Sequence, residues 1–149
     1  MNRRNILIAA AAFAVLTPTS AFAKSPEIFA GENGVALGGY DAVSYFTGAA
    51  PQMGSDKFKV NWKGTDWHFA TAENLAAFTA APETYAPQYG GYCAYAAAKG
   101  AAAPTDPLAW LVRDKKLYLN NSPAVQELWK KDIPGYIAKA DANWPGILK

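Results

Sequence analysis

The chain is poor in the residue types that most often carry chemistry. Its 149 residues include one cysteine, one histidine and two methionines. A single cysteine cannot form an intramolecular disulfide, and an oxidising compartment disfavours an idle exposed thiol. The absence of a C-x-x-C-H motif excludes covalently attached haem. Paired carboxylates and a glycine-rich phosphate loop are also missing, so the sequence gives no support for acid–base pairs or nucleotide chemistry.

An excess of one charge is also missing. The formal net charge is +2, and without Arg3 and Arg4 the basic and acidic residues are equal in number. No basic run interrupts the rest of the sequence. Nucleic acids and anionic membranes are therefore disfavoured as partners, because both are attracted by clustered positive charge that this sequence lacks.

The N-terminus has the pattern of a cleaved export signal. Two arginines precede an apolar run at residues 6–16, and an A-x-A site follows at 21–23. The run is too short to cross a bilayer, which needs about 20 residues. We expect a signal peptide at 1–23, an N-terminal arm at 24–38 and one domain at 39–149. The mature protein is expected to be periplasmic or secreted, bacterial and without a membrane anchor.

Two β-hairpins are predicted from alternating apolar and polar residues. The first pairs strands near 58–62 and 66–69, and the second pairs strands near 109–112 and 116–119. Thr71 and Ser122 follow the hairpins and are typical helix N-caps. Two hairpins that are each followed by a helix predict a small single-domain α+β fold. Beyond this hairpin–helix echo we find no convincing repeat.

The segment 87–95, P-Q-Y-G-G-Y-C-A-Y, combines backbone freedom with potential chemistry. A short alanine-rich helix is predicted from Tyr92 to a stop at Gly100, with Cys93 in its first turn. The free N–H groups of that turn would favour a thiolate. Cys93 is then buried as a small apolar side chain, paired between chains, or bound to a ligand. Further on, residues 133–135 are expected to break the chain before a last helical segment.

Four stretches together resemble the YHS-domain family, in its small exported bacterial branch. They lie at 39–46, at 67–85 around W-H-F-A-T-A-E-N, at 87–94 and at 132–145. In metal-associated YHS domains the ligand cysteines fall near positions that here hold Ser44 and Ala70. Thr71 stands where the serine that helps to name the family would fall. The resemblance therefore implies the fold without the usual thiolate site.

One interpretation is a metal-binding module, with copper as the candidate cofactor. Cu(I) accepts Cys, Met and His ligands, and the chain offers Cys93, Met53 and His68 once each. A blue-copper or closed zinc site needs more histidine or cysteine than this. A copper site would therefore be low-coordinate, or shared between the chains of a homodimer.

A second interpretation is a small-ligand pocket lined by polar aromatic residues. Its candidate residues are Tyr40, Asp41, Tyr89, Tyr92 and Tyr95. Helix capping is the simpler role for Asp41, and ordinary packing would account for most of the tyrosines.

Two further alternatives stay open. One is a purely structural or protein-interaction module. The other is a thiol enzyme with Cys93 as nucleophile and His68 as base. The sequence leans away from catalysis, because no local signature of a thiol hydrolase is present. It favours a non-catalytic module that binds a metal or a small molecule.

Overall fold

The structure, a computed structural model, describes residues 23–149. The predicted signal peptide lies outside the described residues except for Ala23. In chain order the elements are α1 (Ser44–Thr47), β1 (Ser55–Trp62), β2 (Thr65–Phe69), α2 (Ala72–Ala80), α3 (Pro82–Tyr85), α4 (Ala94–Ala98), β3 (Asp106–Arg113), β4 (Lys116–Asn120), α5 (Pro123–Lys130) and α6 (Ile133–Asn143). Short 3₁₀ turns occupy Leu37–Gly39 and Gln88–Gly91.

The α+β prediction is confirmed, since β1–β2 and β3–β4 form separate antiparallel hairpins and each is followed by a helix. The hairpins turn at Lys63-Gly64 and Asp114-Lys115, and all four residues have positive φ. Two-residue turns of this kind match the right-handed twist of the flanking strands. The predicted short helix after the Gly-Gly-Tyr-Cys segment is α4.

Side-chain caps mark the starts of α2 and α5. Thr71 Oγ1 accepts a hydrogen bond from Asn74 N, and Ser122 Oγ accepts one from Val125 N, as predicted. The break expected at 133–135 is wrong, because these residues form the first turn of α6 under an Asp132 cap. A proline is tolerated in a first turn, where its missing N–H has no partner to lose.

The two halves of the chain form an internal repeat. Corresponding starts lie 51 residues apart: Ser55 and Asp106 for the first strands, Thr65 and Lys116 for the second strands, and Thr71 and Ser122 for the caps. Ahead of each hairpin lies a Gly-Gly turn with positive φ, at Gly38-Gly39 and Gly90-Gly91. Each turn continues as Tyr-x-Ala. The hairpin–helix echo of the sequence is thus a repeated structural unit.

The described residues form two hydrophobic cores, and the first also includes Leu117 and Leu119 of β4. The first core surrounds Trp67, Phe69 and Phe78, and the second surrounds Tyr118 and Trp129. The N-terminal arm, 24–38, packs into the first core through three buried side chains: Ile28, Ala36 and Leu37. None of the helices in the described range is both long and apolar enough to cross a bilayer.

Candidate functional site

Asp41 lies at the centre of the first repeat and is fully buried, with 0% of its surface exposed. Oδ1 accepts hydrogen bonds from the main-chain N of Val43 and Ser44, at 2.9 and 3.3 Å. Oδ2 accepts one from Ala70 N at 2.9 Å and one from Asn74 Nδ2 at 2.7 Å. Four donors satisfy the carboxylate, which holds α1 against the end of the first hairpin.

The same carboxylate joins Ser44 and Ala70, the two positions that the predicted resemblance would align with ligand cysteines. Ser44 and Ala70 both donate main-chain N–H groups to Asp41, so these positions do lie together. Their side chains offer a hydroxyl and a methyl group rather than thiolates. Ser44 Oγ is moreover engaged, since it donates to Asp41 O and accepts from Gln52 N. The arrangement supports a structural role for Asp41, consistent with the capping interpretation.

Cys93 occupies the position of Asp41 in the second repeat. The main-chain N of each residue donates to a carbonyl of the following loop, Gln52 O for Asp41 and Ala103 O for Cys93. Cys93 precedes α4 as its N-cap, rather than lying in the first turn, and is 1% exposed. Within this chain Cys93 is therefore buried as a small apolar side chain.

Asn120 supplies in the second repeat the capping acceptor that Asp41 supplies in the first. Its Oδ1 accepts from Tyr95 N at 3.2 Å and from Cys93 Sγ at 3.6 Å. Asn120 is completely buried, and its Nδ2 has no hydrogen-bond partner in residues 23–149. Asn120 is not among the residues predicted from the sequence, although it ends β4 directly after three apolar residues.

The three metal candidates lie in different surroundings. Cys93 is enclosed beside Asn120, whereas Met53 is 57% exposed next to the Gly38-Gly39 turn. His68 is half-buried on β2, on the face opposite Trp67 and Phe69. Across the described range, no three His, Cys, Asp or Glu side chains are grouped so that they could hold a metal ion.

The four candidate tyrosines point to separate parts of the molecule. Tyr89 donates to Asp141 Oδ1 at 2.9 Å, and Tyr92 donates to Pro26 O at 2.8 Å. Burial raises the pKa of both phenols, and the Asp141 hydrogen bond raises that of Tyr89 further. Tyr95 packs edge-on against Tyr136, and Tyr40 bridges to Met53 in the main chain. The hydroxyls of Tyr89 and Tyr92 are thus engaged by different partners within the protein.

A cavity of about 290 Å³ lies elsewhere, between the arm and the two repeats. Both Gly-Gly turns reach it, through Gly38 on one side and Gly90 and Gly91 on the other. Besides three prolines, the apolar wall includes Ile28, Phe29, Ala36, Leu37, Trp67 and Leu119. Trp67 and Leu119 are each 1% exposed, so the cavity reaches the first core. We call it the inter-repeat cavity.

The inter-repeat cavity owes its position to a close crossing of the arm over Gly90. Phe29 N donates to Gly90 O at 2.8 Å, and a Cβ at position 90 would lie 1.8 Å from Glu27 O. A side chain at Gly90 would therefore push the arm away. None of the tyrosines expected to line a pocket borders this cavity. The Gly-Gly pair, which occurs twice in the sequence, marks the two turns that border the cavity but does not by itself indicate a cavity.

A wider depression of about 460 Å³ lies between the start of the arm and the C-terminal residues Trp144, Pro145 and Leu148. It is more open than the inter-repeat cavity and is lined by fewer residues. Enclosure matters because a ligand gains most where it leaves water on several sides. The inter-repeat cavity is therefore the candidate binding site.

By fold and site the molecule is a small α+β domain with a partly open, mainly apolar cavity between two repeats. No family model, curated protein or solved structure matches this chain. The resemblance to the YHS-domain family stays a prediction.

Proposed function

We propose that this chain is a non-catalytic module that binds a small apolar molecule in the inter-repeat cavity. The cavity volume, about 290 Å³, is the observation that carries the proposal. Ligand pockets begin at about 300 Å³, and an apolar cavity of about 150 Å³ accommodates benzene. A two-ring aromatic compound is thus the size of ligand that this cavity fits.

The wall supplies the driving force for such a ligand. Burial of apolar surface contributes about 25 cal/mol per Å², and the six wall side chains are aliphatic or aromatic. For a ligand of about eleven non-hydrogen atoms we expect a dissociation constant between about 10 μM and 1 mM.

The copper interpretation receives less support. Cys93 has one neighbouring acceptor, Asn120 Oδ1, and neither His68 nor Met53 makes a hydrogen bond to it in the described chain. A copper site would need ligands from a second chain. Metal analysis of the purified protein and of Cys93→Ala separates the alternatives, because stoichiometric copper that Cys93→Ala abolishes would favour a metal module.

Catalysis by Cys93 is also less supported. A nucleophile must reach its substrate, and the thiol is 1% exposed beside an amide instead of a histidine. The proposal retains export and YHS-family membership, which are supported by the signal-like N-terminus and the four motif stretches of the sequence.

Titration with 3-ethylindole tests the proposal, with Ala36→Leu as the blocking variant. Ala36 is 1% exposed and borders the cavity, so a leucine there would occupy the ligand's space. Ala76→Leu, at an exposed position of α2, is the matched control. We expect wild type and A76L to bind and A36L to lose at least about tenfold in affinity, a difference of about 1.4 kcal/mol.

The urea midpoint of each variant establishes that it is folded, and Ala36→Val offers a smaller obstruction if the leucine prevents folding. Saturable binding that Ala36 substitutions leave unchanged would place the ligand outside the cavity. Absence of binding to the wild-type protein would contradict the proposal itself.

A further inference from the structure

The inter-repeat cavity has one ionisable side chain at its wall among the described residues, Glu32. No lysine, arginine or histidine of residues 23–149 lines it. Glu32 is exposed and lies at the cavity's rim, on the arm. The interior is mainly apolar, and one carboxylate stands at its edge.

The rim loop that carries Glu32 is held in place by its neighbour. Asn33 Oδ1 accepts from Val35 N at 3.1 Å, and Asn33 Nδ2 donates to Gly38 O at 3.0 Å. Gly34 N donates to Gly31 O at 2.9 Å and closes the loop. These bonds fix the main chain at Glu32 relative to the Gly38 wall, so little backbone ordering is needed when a ligand binds.

Glu32 makes no ion pair in the described chain. The four ion pairs of residues 23–149 engage Lys63, Arg113 and Lys130 with other carboxylates. Its carboxylate is thus available to a cation from outside the protein.

Four hydrogen-bond donors at the wall are already engaged within the protein and would not be available to an anion. Phe29 N donates to Gly90 O, and Gly31 N and Gly38 N both donate to Val35 O, so these three groups are engaged. The Thr105 hydroxyl donates to Gly91 O at 2.7 Å. Phe29 and Trp67 border the cavity and supply aromatic side chains beside which a ligand ring can pack.

We infer that the inter-repeat cavity selects an organic cation, with an aromatic or bicyclic body in the cavity and a primary ammonium group at Glu32. This inference rests on the proposed function, because it names the class of ligand for the same cavity. The apolar body supplies most of the affinity, and the Glu32 carboxylate supplies the preference for a positive charge.

A series of three indoles tests the inference. Tryptamine, 3-ethylindole and indole-3-propionate share the ring and differ in charge, and their affinities for the purified protein are measured by calorimetry. Glu32→Gln removes the carboxylate, and Glu73→Gln removes an exposed one on α2 as the matched control. Exposed ion pairs are worth up to about 1 kcal/mol, which converts to about fivefold in affinity.

We expect wild type and E73Q to bind tryptamine about three- to fivefold more tightly than 3-ethylindole, and indole-3-propionate most weakly. E32Q should bind tryptamine and 3-ethylindole equally. The tryptamine preference should shrink as salt rises from about 20 to 500 mM, because salt screens exposed charges. Equal binding of all three indoles by the wild type, or an unchanged preference in E32Q, would overturn the inference and leave the proposed function intact. Failure of 3-ethylindole to bind would count against the proposed function.

Discussion

At the scale of single residues, Asp41 and Cys93 occupy equivalent places with different chemistry. Asp41 caps its own repeat with a carboxylate that accepts four hydrogen bonds. In the second repeat the capping oxygen comes from Asn120, and Cys93 fills the remaining space. The two repeats of this chain thus share the same backbone arrangement at this place. The side chain that accepts the main-chain hydrogen bonds comes from a different position in each.

Replacement of Asp41 by alanine should lower the free energy of unfolding by about 3–4 kcal/mol, because four donors would lose their acceptor in a buried place. Urea denaturation measures the change. Asp56→Ala, at an exposed position of β1, is the matched control and should change stability by no more than about 0.5 kcal/mol. Similar losses in both variants would refute a special role for Asp41.

Cys93 should be inert towards thiol reagents in the native protein, because 1% of its surface is exposed. Ellman's reagent should detect no thiol within minutes in buffer and one per chain in denaturant. Rapid stoichiometric reaction of the folded protein would contradict the buried position and revive the thiol-enzyme alternative.

At the scale of elements, the arm and the Gly-Gly turns shape the cavity together. Gly90 adopts a φ of +62° directly under the arm, so both its conformation and its lack of a side chain are required. The arm is thereby fixed at Phe29, and the cavity lies beside that crossing.

Gly90→Ala should destabilise the protein by more than about 3 kcal/mol and abolish binding of 3-ethylindole, because the new Cβ would collide with Glu27 O. Gly64→Ala is the matched control, since Gly64 also has positive φ but open space around it. There we expect only the left-handed backbone cost, about 1–2 kcal/mol, with binding retained. Equal effects of the two substitutions on stability would show that the crossing is not tight.

Element types were largely predictable from the sequence, but the cavity was not. Alternation located both hairpins, and Thr71 and Ser122 marked their helices, because these are local signals. The start of α6 was not predicted, because Pro134 and Gly135 usually interrupt a helix. Here they lie in its first turn, which the Asp132 side chain caps. The cavity depends on contacts between Phe29 and Gly90, which are far apart in sequence, and no local pattern reports them.

At the scale of the whole molecule, buried phenols join the repeats to each other and to the C-terminal helix. Tyr45 donates to Pro107 O at 2.8 Å across the repeats, and Tyr89 donates to Asp141 on α6. Burial is the main cause that raises the pKa of both groups above the ordinary value, so the folded state retains their protons more strongly than the unfolded state.

The higher phenol pKa values of the folded state predict that the protein loses stability at alkaline pH. Below pH of about 10 both states keep the phenolic protons, and the stabilising contribution is complete. Above it the unfolded state loses protons that the folded state retains, so stability falls by up to about 1.4 kcal/mol per pH unit for each such tyrosine. Urea midpoints from pH 8 to 11.5 measure the slope. Tyr89→Phe should flatten it, and a slope unchanged by that substitution would contradict the assignment.

The most direct test of the central claim is to find where a neutral ligand binds. Methyl NMR spectra recorded with 3-ethylindole report on Ile28, Ala36 and Leu119 at the cavity wall, and on Leu128 and Leu148 away from it. The account predicts saturable shifts and intermolecular cross-peaks at the three wall residues, with Leu128 and Leu148 unchanged. Shifts confined to Leu148, beside the open depression, or no saturable shift at any wall methyl, would contradict it.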